Sequence, residues 1–307
     1  MIKLPNIDKT LEDEFYENQK NKFIHKLQEH SRDGDFSAIT NYFSNDRGVT
    51  FVEEKVKSVL IGRKAQLINA ISIIGKTSCK KINRAFDNLY ENFTTRKLGK
   101  AWAEKIGVKI CPYCNRSYIF TLKTDGIRPQ YDHFFPKADY PYLAVSLYNL
   151  IPSCGICNLA KKDTDTYPNR FIYPYDDEYG TEVKFKTTFP DDGDSSYLSG
   201  TNEKFGIDID VSGTTGDLQA KVVFSKDVLK LEKLYEKHKD YVRDIIRNCR
   251  IYSDAYVESL LLTYPELFKS RDEVKNVLLM NYLQQKDWDK RVLSKLTFDI
   301  SKEFGIS

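Results

Sequence analysis

The chain has 307 residues, 41% of them hydrophobic and 30% charged, which is enough for one large or two modest domains and has the balance of a soluble globular protein. It contains no run of eighteen apolar residues, and Met1-Ile2-Lys3-Leu4-Pro5 lacks the apolar stretch of a secretory signal, so a membrane protein is set aside and a cytoplasmic location is expected. The net charge of +3 does not by itself announce nucleic-acid binding, but the charge is segregated: residues 55–109 carry thirteen Lys/Arg against three Asp/Glu, and residues 176–217 carry eleven Asp/Glu against three Lys. A phosphate-binding face needs such a pattern, and an ordinary solvated helix surface also shows it.

Residues 1–107 read as a helical region. Val52, Val56, Val59, Leu60, Leu67 and Ile71 repeat at helical spacing, and so do Ile82, Ala85, Phe86, Leu89, Tyr90 and Phe93. Gly34, the Ser44-Asn45-Asp46 cluster and Gly75 mark breaks, and Trp102 and Ile106 close the bundle. Residues 108–171 change character. Short β-like pieces at Ser117–Leu122 and Gln130–His133 flank a turn at Asp125-Gly126, a loop rich in aromatics and proline runs from Phe134 to Tyr148, and a helix is expected from Cys154 through Asn158 and Lys161.

Residues 172–225 form an acidic, β-rich insert. Val183, Phe185 and Thr187 alternate, as do Phe205, Ile207, Ile209 and Val211, with turns at Asp192-Gly193 and Gly216-Asp217. Residues 226–307 are helical again. One stripe runs from Leu231 through Leu234, Tyr235, His238, Val242, Ile245 and Cys249 to Tyr252, Pro265 breaks the pattern, and Val274, Val277, Leu278 and Leu283 begin another face. The fold class is therefore α+β, a mostly helical chain with a central mixed module and a small β insert.

The chemistry concentrates in the central module. Cys111-Pro-Tyr-Cys114 and Cys154-Gly-Ile-Cys157 are two Cys-x-x-Cys pairs, the ligand set of a closed tetrahedral zinc site. Cys79 and Cys249, in helical stretches, read as buried small hydrophobes. Between the pairs stands Tyr131-Asp132-His133, and Asn158 follows the last cysteine. Hydrolysis of a phosphodiester needs an activated water, a cation beside the phosphate and help for the leaving oxygen. A near-neutral histidine can take the proton, and a carboxylate with an amide oxygen can hold Mg²⁺ or Mn²⁺. Neighbouring side chains on a strand point to opposite sides, so Asp132 would face the ion and His133 the water at a strand end. Asn158 would be fixed to the strand by a zinc-anchored helix start, and a small module gains from metal-coupled folding.

The string Tyr131-Asp132-His133-Phe134-Phe135-Pro136-Lys137, then Tyr148-Asn149-Leu150-Ile151-Pro152-Ser153, then Cys154-x-x-Cys157-Asn158 with Lys161, resembles the HNH endonucleases, in the zinc-stapled branch of the ββα-metal nucleases. The resemblance covers about residues 108–165. It implies a metal-dependent endonuclease cutting DNA, with His133 as general base and Asp132 and Asn158 on a catalytic Mg²⁺ or Mn²⁺. Asn149 would be the middle Asn that holds the loop and orients the histidine, and Cys111, Cys114, Cys154 and Cys157 would be structural zinc ligands. The last motif position is Asn rather than His, which favours a hard ion over zinc there. The helical flanks are also similar to HNH effectors of bacterial anti-phage defence of the Septu and retron kinds, which implies a partner ATPase.

Alternatives accompany the central reading. A non-catalytic zinc module binding nucleic acid or a partner protein would use Asp132 and His133 for packing, and an RNase would use the same centre. Lys137, Lys161 and Arg116 are candidate strand contacts or solvated surface residues. Tyr113, Tyr118, Tyr140 and Tyr142 are candidates for base stacking, with core packing the plainer reading. Asp163 and Asp165 lie near the site in sequence without being assigned as ligands. His25, His30 and His238 fall in helical runs and are not expected to do chemistry.

Overall fold

The computed structural model describes residues 1–305 apart from 47–49, 78, 96–97, 123, 125 and 191. The chain is α+β, mostly helical with two small antiparallel sheets, and divides into two compact units.

One unit comprises Leu4–Val108 and Ile119–Tyr175. It holds α1 (Lys9–Glu29), α2 (Ser37–Phe43), α3 (Glu53–Leu60), α4 (Lys64–Ile74), α5 (Lys80–Thr95) and α6 (Leu98–Ile106), then β1 (Gln130–His133), β2 (Leu150–Ser153) and α7 (Gly155–Lys161). Asp8 starts α1 by accepting the Leu11 N–H at 2.8 Å. Phe15, Gln19, Phe23 and Leu27, four residues apart, then form its buried stripe. That stripe meets α5 and α6: the Phe15 ring lies 5.9 Å from Phe93 and 4.9 Å from Trp102, and Phe23 lies 5.8 Å from Phe86. Each fully buried phenylalanine stabilises the bundle by roughly 1.5–3 kcal/mol.

The apolar pattern from Val52 to Ile71 forms two helices, not one run, because the chain turns sharply between Leu60 and Lys64. Gly62 sits at that turn, where a Cβ would lie 1.8 Å from the Ser58 carbonyl oxygen.

The hairpin also differs from expectation. β1 pairs with β2, with Tyr131 opposite Pro152, Asp132 opposite Ile151 and His133 opposite Leu150. Ser117–Leu122 forms no strand and retains an isolated bridge from Tyr118 to Ile110 and a bond from Leu122 N–H to the Ile127 carbonyl. Its alternating Tyr118, Phe120 and Leu122 are all exposed, whereas β2 is buried throughout, so burial selects β2 as the partner. Pro152 is tolerated because each strand of a two-stranded sheet is an edge. Of the expected Asp125-Gly126 turn, Asp125 lies outside the described residues, and Gly126 has φ +70°.

The other unit comprises Met1–Lys3, Lys109–Tyr118 and Asp176–Ser307. β3 (Lys184–Thr188) pairs antiparallel with β4 (Gly206–Asp210), with Phe185 opposite Ile209. Phe185, Ile207 and Ile209 are buried, as their alternation predicts. The strand-and-turn character stops short of residue 225, because Gly216-Asp217 opens a helix, α8 (Gly216–Val228), and does not form a turn. There follow α9 (Leu231–Tyr235), α10 (Lys239–Ile251), α11 (Asp254–Thr263), α12 (Arg271–Leu278) and α13 (Ser294–Glu303). A 3-10 turn at Glu236–His238 interrupts the expected Leu231–Tyr252 stripe. α13 docks on β3 through a buried pair: Lys295 Nζ lies 2.6 Å from Asp299 Oδ1, and Asp299 Oδ2 accepts the Phe185 N–H at 2.8 Å. Among the described residues no helix is long and apolar enough to cross a membrane. Cys79 and Cys249 are half-buried, and burial pushes the Cys249 thiol up to about 12, which leaves it unreactive.

Candidate functional site

Cys111, Cys114, Cys154 and Cys157 are all buried, and their sulfurs lie within 4.8 Å of one another. Zinc–thiolate bonds of about 2.3 Å in a tetrahedron place sulfurs about 3.8 Å apart, so this donor set fits a zinc ion after a small contraction. Local backbone supports the sulfurs. Asn115 turns the chain at φ 49°, a conformation asparagine tolerates, and the Arg116 N–H then points at Cys114 Sγ from 3.4 Å. At the other pair Cys154 caps α7, its sulfur accepting the Cys157 N–H at 3.4 Å. Such N–H···S bonds stabilise thiolate and orient it.

From Cys154 the helix runs directly under β1. Side chains two apart on a strand share a face, and side chains three apart on a helix are neighbours. Gln130 and Asp132 of β1 accordingly meet Asn158 and Lys161 of α7. Asn158 Nδ2 donates to Gln130 Oε1 at 2.8 Å, and Lys161 Nζ donates to Asp132 Oδ1 at 3.1 Å. One strand–helix seam thus carries Asp132, held by Lys161, and Asn158, held by Gln130. The amide nitrogen of Asn158 is used by Gln130, and its amide oxygen is an acceptor.

Lys161 is neither a strand contact nor a solvated lysine. Its side chain is 0% exposed, its Nζ is 3.1 Å from Asp132 Oδ2 as well, and it bonds the His133 carbonyl at 2.7 Å. Four residues after Cys157, it shares that cysteine's buried helix face. Lys137, half-exposed, pairs with Asp87 of α5 and lies 5.4 Å over the Tyr90 ring.

His133 is 8% exposed, and its Nε2 lies 2.9 Å from the Ala144 carbonyl. A carbonyl only accepts, so Nε2 carries the hydrogen and Nδ1 keeps the lone pair. The ring meets Tyr90 edge-on, centroids 4.6 Å apart. Burial pushes its pKa down to about 3 and the charges of Lys137 and Lys161 act in the same direction, while the Ala144 bond opposes them. The imidazole is therefore neutral across the physiological range.

Asn149 is fully buried and organises the β1–β2 connection. Its Oδ1 accepts the Phe135 N–H at 2.7 Å, and its Nδ2 donates to the Phe135 and Leu143 carbonyls, each at 3.1 Å. Ala144, the partner of His133, is the next residue after Leu143, so the loop that Asn149 ties carries the carbonyl that orients the imidazole.

Tyr90 and Asp87 were not assigned to the site from the sequence, because α5 lies some forty residues upstream and Tyr90 reads as one more apolar position. Tyr113, Tyr140 and Tyr142 are buried in packing, while Tyr118 is exposed. Asp165 pairs with Lys76 at 2.7 Å. Arg116 donates from Nε to His238 Nε2 at 3.0 Å, His30 stacks on Phe36, and His25 is exposed beside Glu29. The basic stretch is partly matched by acids of its own unit: Lys57 with Asp13, Arg63 with Glu12, Lys76 with Asp139 and Asp165, Lys81 with Asp33 and Lys105 with Glu14. The basic side chains of these pairs are exposed, so each pair contributes little to stability.

No family model and no solved structure matches the chain. It is similar to the Septu protein PtuB of Bacillus thuringiensis, 34% identical over 74 residues that make up 24% of this chain and 27% of PtuB. The aligned part is thus about a quarter of either protein, and the likeness is one of a segment.

Proposed function

We propose that the protein is a metal-dependent HNH endonuclease that hydrolyses phosphodiester bonds in DNA. The observation that supports this reading is the seam of β1 and α7, which carries Asp132, next in sequence to a histidine whose Nδ1 is kept as the lone-pair nitrogen by Ala144, and Asn158. Asp132 and the Asn158 amide oxygen would hold Mg²⁺ or Mn²⁺, which when bound neutralises charge on the phosphate and on the departing oxygen. His133 Nδ1 takes the proton from the attacking water. Its low pKa keeps it deprotonated before reaction, and the negative phosphodiester beside the ring raises its basicity as the substrate binds. Asn149 holds the loop that sets the ring's orientation. The cysteine cluster anchors the start of α7 through zinc and so fixes Asn158 against the strand. The expected products carry 5′-phosphate and 3′-hydroxyl ends.

The likeness to a Septu protein supports a role in anti-phage defence, and with it a partner ATPase that restrains or directs cutting. A second reading has its own observation. The Asp132 carboxylate already has a buried counter-charge in Lys161, as it would in a non-catalytic zinc module that binds nucleic acid or a partner. Incubation of the purified protein with plasmid and with RNA, with and without Mn²⁺, separates these readings and identifies an RNase. His133→Ala is expected to keep zinc and the fold while lowering cleavage by about 10²-fold or more. Full activity of a clean His133→Ala preparation rejects the mechanism.

A further inference from the structure

The environment of Lys161 bears on how the site acquires its ion. Its Nζ stands 3.1 Å from both oxygens of Asp132, with side chains 0% and 2% exposed, and is anchored by the His133 carbonyl at 2.7 Å. An ammonium equidistant from two carboxylate oxygens lies in the fork between them, the position a bidentate cation takes. The charges of these three side chains cancel: Asp132 is negative, Lys161 positive and Asn158 neutral. Sites that hold divalent ions tightly do so with several uncompensated carboxylates.

We propose that Lys161 is an internal counter-cation: it holds Asp132 while no divalent ion is present, and it keeps ion binding weak until a phosphodiester brings the missing negative charge. This rests on the assignment of Asp132 as an ion ligand made above. Ion and substrate then load together, and the metal-free protein keeps a folded, neutralised site. Lys161 acts through Asp132 and touches no reacting atom, so it is a positioning residue.

The test is a titration of Mn²⁺ alone into the full-length, zinc-loaded chain, followed by the electron paramagnetic resonance signal of free ion. Lys161→Gln, which removes the charge, is expected to bind Mn²⁺ about tenfold tighter or more than wild type, since a like charge has left the ion's neighbourhood. Lys161→Arg, which keeps the charge, is expected to stay near wild type. Asp132→Asn is expected to remove the binding in each background, assigning the ion to this seam. Without ion, Lys161→Gln should melt below wild type, because the buried Asp132 carboxylate loses an ammonium counter-charge. Mn²⁺ should then raise its melting temperature more than that of wild type.

Wild-type binding that Asp132→Asn abolishes, with the same affinity in Lys161→Gln, overturns the counter-cation and leaves the ion ligand standing. Binding in neither wild type nor Lys161→Gln removes the ion-ligand reading and this inference with it. If Lys161→Gln does not fold alone, its recovery on adding Mn²⁺ reads the same exchange, and failure to recover counts against it.

Discussion

At Asn149 a single amide fixes the connection between two strands. With no exposure, it satisfies the Phe135 N–H and bonds two carbonyls of the same loop. Asn149→Ala leaves a buried donor without its acceptor, which costs more than the bond itself contributes. The expected loss is about 2–4 kcal/mol, measured by urea unfolding of the zinc-loaded protein. A loss below about 0.5 kcal/mol would mean the loop is held without it. The burial that makes Asn149 structural also keeps the His133 imidazole neutral, so both residues depend on the exclusion of water from this loop.

Elements are positioned by contacts of the same kind. The turn between α3 and α4 depends on Gly62, whose missing Cβ would lie 1.8 Å from the Ser58 carbonyl oxygen. Gly62→Ala must move backbone, so it is expected to cost about 2 kcal/mol or more and to lower the melting temperature measured by circular dichroism. An unchanged melting curve would show that the turn relaxes freely. In the sequence, that turn was hidden because one glycine inside a helical pattern is an ordinary event. β1 and α7 were legible: Tyr131-Asp132-His133 lies on a strand, and the second cysteine pair starts a helix carrying Asn158. β2 was not. Leu150-Ile151-Pro152 lies beyond a long loop and contains a proline, while Tyr118, Phe120 and Leu122 present a cleaner alternation that the fold leaves exposed. Lys161 was misjudged because lysine burial is rare. The four-residue step from Cys157 was the available signal, and a buried acid opposite it was needed to interpret that step.

For the whole molecule the decisive quantity is the metal content. Four buried thiols within 4.8 Å of one another repel if all are ionised and pack poorly if none is, so an ion is expected to stabilise the chain. Elemental analysis should find about one zinc per chain, the stoichiometry of a closed site with four thiolate ligands. Strong chelation, or Cys111→Ser, should lower the melting temperature by on the order of 10 °C. Protein that is free of zinc and melts normally would remove the cluster from the account of stability.

The wall of α5 and α6 behind the histidine limits what can be cut away. Asp87 holds Lys137, Tyr90 covers the imidazole, and Gly99 accepts the Tyr131 hydroxyl at 2.6 Å. A fragment trimmed to the cysteine-bounded segment would lose all of these at once, baring aromatic rings and stranding a phenol and an ammonium. Anyone transplanting the β1–α7 seam into another scaffold would have to carry the upstream helices along with it.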